Sequence, residues 1–197
     1  MFVGGEWAIT EGWLLSGHMY DMAKEFNGSL FYSEHRYYGK SHPTDDTSTE
    51  NLEFLSVHQA LADLANLIVH IKSSDEYKDS KVILVGASYS ATMVVWFRLK
   101  YPHLVNGVWA SSAPLVAKIN YEEYNEIMAE SYLELGGQEC VNHFEKAILA
   151  LEKIVSSGDT SKIEKDFDLC KPLQSKDIET FFYEIDNAFA SSVQGYT

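Results

Sequence analysis

The run Lys81-Val82-Ile83-Leu84-Val85-Gly86-Ala87-Ser88-Tyr89-Ser90-Ala91 decides the fold class. Apolar, β-branched residues lead into a glycine, a serine stands two places on, and Met93, Val94, Trp96 and Phe97 continue with helical spacing. The pattern predicts a strand, a tight turn and a helix with Ser88 at the corner, the layout of a nucleophile elbow. Such a corner closes only if strand and helix approach closely, which asks for small residues two before and two after the serine. Gly86 and Ser90 hold those places, so the motif is G-x-S-x-S and the second glycine is replaced.

Outward from this run, strands and helices alternate. Phe2-Val3-Gly4-Gly5 reads as a strand end and its glycine turn, and residues 29–33 and 106–110 as further strands. Ser16 is placed to cap a short helix carrying Met19, Met22, Ala23 and Phe26. A polar, proline-bearing loop runs from Gly39 to about Asn51. Ser56 with Gln59 forms a capping box, and Val57, Ala60, Leu61, Leu64, Leu67, Ile68 and Ile71 line one face of the helix that follows. The elbow helix is expected over 88–100 and is stopped by Pro102. Alternation of this kind predicts an α/β class, a parallel sheet covered on both faces.

The pattern changes near Lys118. Residues 121–135, 139–156, 161–170 and 177–193 all read as helices, punctuated by Gly136-Gly137, Gly158 and Pro172, with no strand among them. The expected organisation is an α/β core over 1–118 and a helical cap or insertion over 119–197. The chain opens inside a strand and shows no basic, apolar leader, which reads as a segment of a longer protein.

Composition narrows the function classes. With 46% hydrophobic and 13% aromatic residues in 197, the chain can bury a core and is not a disordered tract. The net charge is −14, and residues 119–197 contribute 16 acids against 6 bases. That field repels phosphate backbones, so nucleic acid is not an expected partner, while an acidic compartment would relieve the self-repulsion. No apolar run is long enough to cross a bilayer. Cys140 and Cys170 belong to no C-x-x-C pair, so no metal site is expected; in an oxidising compartment they are expected to pair with each other. Asn27-Gly28-Ser29 is a glycosylation sequon at Asn27.

A serine nucleophile needs a base, and in sheet hydrolases the chain order is Ser, then Asp or Glu, then His. After Ser88 the chain holds only His103 and His143. His103 lies at the far end of the elbow helix, roughly 20 Å away by helix rise, and His143 lies within a predicted helix. The base is therefore expected outside the chain. His35, in Glu34-His35-Arg36, sits at the strand edge where such sheets bind ligands; it is read as part of a hydrogen-bonded anchor for the following loop and as the substitute base if one exists. The oxyanion donors are expected to be the backbone N–H of Tyr89 and those of Gly5 and Glu6 in the first strand-to-helix loop. Ser111 and Ser112, after the last strand, are read as pocket wall.

Taken together, Gly4-Gly5-Glu6, Glu34-His35-Arg36-Tyr37-Tyr38-Gly39-Lys40-Ser41, Gln59-Ala60-Leu61-Ala62-Asp63, Gly86-Ala87-Ser88-Tyr89, the run from Trp96 to His103 and Ala110-Ser111-Ser112-Ala113-Pro114 resemble one family. It is the family of lysosomal prolyl carboxypeptidase, dipeptidyl peptidase II and thymus-specific serine protease, with Ser88-Tyr89-Ser90-Ala91-Thr92-Met93 and Gly5-Glu6-Trp7 most similar to the thymus-specific branch. The resemblance implies an α/β-hydrolase core interrupted by a helical domain, with Ser88 as nucleophile and the catalytic Asp and His beyond Thr197. It implies a serine exopeptidase that cleaves short peptides near proline without a cofactor, in a lysosomal, endosomal or secreted setting, with a homodimer as a further assembly. Two departures stand out: Ala87 and Ser90 replace glycines common in the family, and Ala87 would be strained if its φ were positive. The rival readings are another α/β-hydrolase acting on acyl esters, and an inert segment that only binds peptides or a partner.

Overall fold

A computed structural model of the chain describes residues 1–195; Tyr196 and Thr197, at the end of the expected helical domain, lie outside the described residues. The chain divides into two compact units, one of residues 1–117 and one beginning at Lys118.

The first unit is built on four parallel strands in the order β2-β1-β3-β4. They are β1 (Phe2–Val3), β2 (Tyr32–Ser33), β3 (Ile83–Ala87) and β4 (Gly107–Ser111). Alternation along the strands assigns the two faces. Val3 and Leu84 join one cluster with Ala60, Leu61, Leu64 and Ile68 of α3 (Val57–Lys72) and Met93, Val94 and Phe97 of α4 (Tyr89–Lys100). Their neighbours Phe2 and Val85 join a second cluster with Met19 of α2 (His18–Glu25). Both faces are therefore covered, as a parallel sheet requires.

Element ends depart from the sequence expectation for identifiable reasons. Gly17, at φ 92°, and not Ser16, stands at the N-cap of α2, and a short helix α1 (Gly12–Leu15) precedes it. The C-terminus of α2 ends on Asn27 in the left-handed region, with Gly28 N–H donating to Ala23 O at 2.7 Å and Asn27 N–H to Lys24 O at 3.4 Å. β2, expected over 29–33, narrows to two residues at its C-terminal end. Asn27, the sequon residue, is exposed. Ser56 does cap α3, accepting from Gln59 N–H, but the Gln59 side chain accepts instead from Arg36 Nη1, so only half of the capping box forms. β3 and β4 each lie later than expected, ending at Ala87 and Ser111.

The second unit is helical: α5 (Glu122–Ser157), α6 (Ser161–Asp166) and α7 (Ile178–Gln194). Gly137, at φ 73° and ψ 176°, interrupts α5 where two helices were expected, and Gly158 in the left-handed region ends it. The helix α6 stops four residues before Cys170 because Asp168 turns left-handed and Leu169 N–H closes onto Glu164 O at 3.0 Å. Ile163 and Phe181 are buried, and Phe144 packs between Tyr132 and Phe189 at centroid distances of 4.6 Å. The expected pairing of cysteines is not formed: half-buried Cys140 and exposed Cys170 are both free thiols. The Cys140 sulfur is turned back on its own helix, where a Cβ at Gly136 would approach it to 2.8 Å. No helix among the described residues is long and apolar enough to cross a membrane.

Candidate active site

The end of β3 turns directly into α4, and the residue at the corner is Ser88, with φ 57° and ψ −128°. A non-glycine residue with positive φ is strained, and it persists only where neighbours over-determine it. Here the neighbours are identifiable. Ser88 N–H donates to Ser111 O at 3.0 Å, tying the corner to the end of β4. Ala91 N–H and Thr92 N–H donate to Ser88 O at 2.9 and 3.2 Å. Thr92 Oγ1 donates to Pro114 O at 3.2 Å, fastening the first turn of α4 to the segment after β4. The close approach is real at Gly86: a Cβ there would lie 2.3 Å from Ser90 O and 2.7 Å from Ala91 N, so only glycine fits. Positive φ falls on Ser88 and not on Ala87, so the alanine adds no strain of that kind.

Ser88 is exposed. Among the described residues the backbone N–H of Tyr89 meets no acceptor, as expected for the first residue of a helix, where donors lack intrahelical partners and the dipole favours negative charge. Gly5 is buried against this corner: a Cβ on it would lie 3.5 Å from Ser90 Cβ and 3.7 Å from Tyr89 Cδ1. Glu6 follows and is exposed. The N–H groups of Gly5 and Glu6 likewise meet no acceptor among the described residues. The structure thus brings the turn after β1 beside the start of α4. Among the described residues no group is grouped with metal-ligand geometry.

The three residues after β2 each fasten a different element. Glu34 accepts from Ile9 N–H at 3.2 Å, Lys40 N–H at 2.9 Å and Ser41 Oγ at 2.6 Å, so one carboxylate joins the turn after β1 to the loop after β2. The Ser41 hydroxyl above all, with the backbone donors, holds the Glu34 carboxyl below the usual glutamate range. His35 is buried; its Nδ1 bonds Arg36 O at 2.8 Å and its Nε2 meets Tyr89 Oη at 3.0 Å. Since a carbonyl only accepts, Nδ1 is the donor in its bond to Arg36 O. Burial, with smaller contributions from Tyr38 and Glu6, pushes the Tyr89 phenol up and keeps it protonated. Arg36 grips Asp63 of α3 with two 2.7 Å bonds and Phe54 O at 2.9 Å.

These contacts settle where the histidines go. Both ring nitrogens of His35 are engaged, and neither bonds Ser88, so it serves as an anchor in this structure. His103 lies beyond the far end of α4, edge-on to Tyr101. His143 bonds Glu139 O within α5. No histidine among the described residues bonds the Ser88 hydroxyl. The sequence reading missed the roles of Tyr89 Oη and Ser90; the signal available was an aromatic and a hydroxyl flanking the corner, each without an evident partner.

The full chain, residues 1–197, matches the family described as serine carboxypeptidase S28. It belongs to that family. The S28 chain is 36% identical over 173 residues to the lysosomal Pro-X carboxypeptidase of Mus musculus, covering 84% of this chain and 35% of that protein. It is 34% identical over 175 residues to the protein of the same name from Homo sapiens, covering 83% and 34%. With the thymus-specific serine protease of Mus musculus it shares 32% over 167 residues, covering 80% and 32%. The S28 chain thus spans about a third of the length of the curated relatives it matches. Its parallel sheet with helices on both faces is that of an α/β-hydrolase fold, as the sequence resemblance implied.

Proposed function

We propose that this S28 chain carries the nucleophile of a serine exopeptidase that hydrolyses short peptides beside proline. The observation that carries the reading is Ser88 held at positive φ at an exposed strand-to-helix corner, with unpartnered backbone donors from Tyr89 and from Gly5 and Glu6 nearby. In the proposed reaction Ser88 Oγ attacks the scissile carbonyl carbon and a histidine takes its proton. The tetrahedral oxygen is held by Tyr89 N–H and by Gly5 or Glu6 N–H. Collapse returns the proton to the leaving amine, and water then releases the acyl group from Ser88 by the reverse sequence of transfers.

The base and its carboxylate orienter are assigned to parts of the protein outside residues 1–197, since both nitrogens of His35 are occupied and the other histidines lack the placement. The helical unit is assigned as a cap or insertion on the hydrolase core. Names such as lysosomal Pro-X carboxypeptidase among the relatives, together with a charge of −14, support a lysosomal or endosomal setting. Substrates are peptides; no cofactor enters the chemistry.

The test is turnover of a proline-containing dipeptide amide and of a peptide with proline before its C-terminal residue, by the full-length protein and by its Ser88→Ala variant. Hydrolysis of one of them, abolished in the variant, is the expected result, and which one is cut separates dipeptidyl peptidase from carboxypeptidase. A variant as active as the wild type sinks the reading. Residues 1–197 alone are expected to be inert with Ser88 intact; turnover by that segment, lost on Ser88→Ala, would show that it holds its own base.

A further inference from the structure

The corner that strains Ser88 needs a brace on its upstream side, and the sheet does not supply it. Strand β1 pairs with β3 only at Phe2 and Val85, so the ladder on that side ends before Ala87. On the other side β4 pairs as far as Ser111. The peptide groups of Ala87 that face away from β4 would be left open directly before the nucleophile. They are instead closed by one side chain: Ala87 N–H donates to Ser90 Oγ at 3.0 Å, and Ser90 Oγ donates to Ala87 O at 2.9 Å. A hydroxyl can do both at once, since it carries one donor and two acceptor sites. Ser90 is 3% exposed, so its hydroxyl is committed to these two bonds.

The same residue faces the other proposed donor. The atoms nearest to a Cβ built on Gly5 are Ser90 Cβ at 3.5 Å and Ser90 N at 3.7 Å. Ser90 therefore stands between the residue before the nucleophile and the turn that would provide the second oxyanion donor. A glycine in its place would leave both Ala87 groups without that side-chain partner and would widen the space against Gly5.

We infer that Ser90 is a positioning residue of the acyl-transfer site: through its two bonds to Ala87 and its packing on Gly5 it fixes the Ser88 corner and the spacing between the Tyr89 and Gly5 N–H groups. This inference rests on the proposed role of Ser88. It predicts a loss confined to the chemical step, because misplacement of reacting groups lowers the rate without altering contacts made by distant parts of the substrate.

The experiment compares wild type, Ser88→Ala, Ser90→Ala and Ser90→Cys in the full-length protein, using a proline-containing peptide substrate. Active-site titration with a serine-directed phosphonate counts competent molecules, and thermal unfolding is followed in parallel. Ser90→Ala keeps the Cβ that packs on Gly5 but loses both bonds; its kcat per titrated site should fall about tenfold to a hundredfold with KM within about twofold of wild type. Ser90→Cys, a weak donor and acceptor, should recover part of that loss. Wild-type kcat per titrated site in both variants overturns the inference, even if less of the protein folds, because a merely structural role would lower the titre alone. A rise in KM with unchanged kcat overturns it as well. An inert wild type, or an active Ser88→Ala, would instead remove the proposed function on which it rests.

Discussion

The Tyr89 hydroxyl and Nε2 of His35 are hydrogen-bonded across 3.0 Å, joining residues 54 apart in sequence. The bond fastens the residue after the proposed nucleophile to the residue after β2. With Nδ1 committed to Arg36 O, both ring nitrogens of the buried imidazole are engaged. A histidine used in this way positions a helix start and has no nitrogen left for proton transfer.

Tyr89→Phe should cost about 1–3 kcal/mol, because it leaves Nε2 of a buried histidine without its partner. Urea unfolding of Tyr89→Phe, His35→Leu and the double variant measures it. The double variant should be less destabilised than the sum of the two singles, since both remove the same bond. Strict additivity would show that the bond contributes nothing to stability.

Ser88→Gly should raise stability by about 1 kcal/mol while removing turnover, since glycine accepts φ 57° without the strain a side chain brings there. The gain is read as an increased midpoint of thermal unfolding. A lower midpoint would mean that the Ser88 corner stores no strain.

Gly86→Ala should be severe, at about 3 kcal/mol, because its Cβ would be driven to 2.3 Å from Ser90 O, and backbone there has nowhere to move. Gly28→Ala, where the added Cβ meets nothing closer than 3.7 Å, should change stability by less than about 1 kcal/mol. Equal midpoints for the two variants would contradict the close approach at the elbow.

Glu34→Gln should destabilise the protein at neutral pH and not at low pH. The Glu34 carboxyl is held below its ordinary value by Ser41 and the backbone donors of Ile9, Lys40 and Ser41. A carboxylate whose folded pKa is depressed contributes fully above the unfolded value, and the contribution is lost as pH falls through the folded one. The stability difference between wild type and variant should therefore shrink as the solution is acidified. A difference independent of pH would show that the charge on Glu34 is not what these donors select.

The sequence by itself determined the elbow, the alternation of strands and helices before Lys118 and the helical character after it. These follow from local rules: β-branched runs, 3.6-residue periodicity, and glycine where backbone must pass closely, as at Gly86. Ser56 as a helix cap was legible for the same reason. The end of α6 was not, because it is set by a left-handed residue, Asp168, that no residue type compels to turn. Only the tertiary structure decided what Glu34, His35 and Arg36 do. Adjacent in sequence, they reach Ile9, Tyr89 and Asp63, partners that chain proximity does not indicate. It likewise decided that Ser90 closes onto Ala87, and that Cys140 and Cys170 remain apart as free thiols. Hydrogen bonds act over 3 Å and depend on angle, so their partners are fixed by where the sheet and helices bring the backbone, and periodicity carries no record of that.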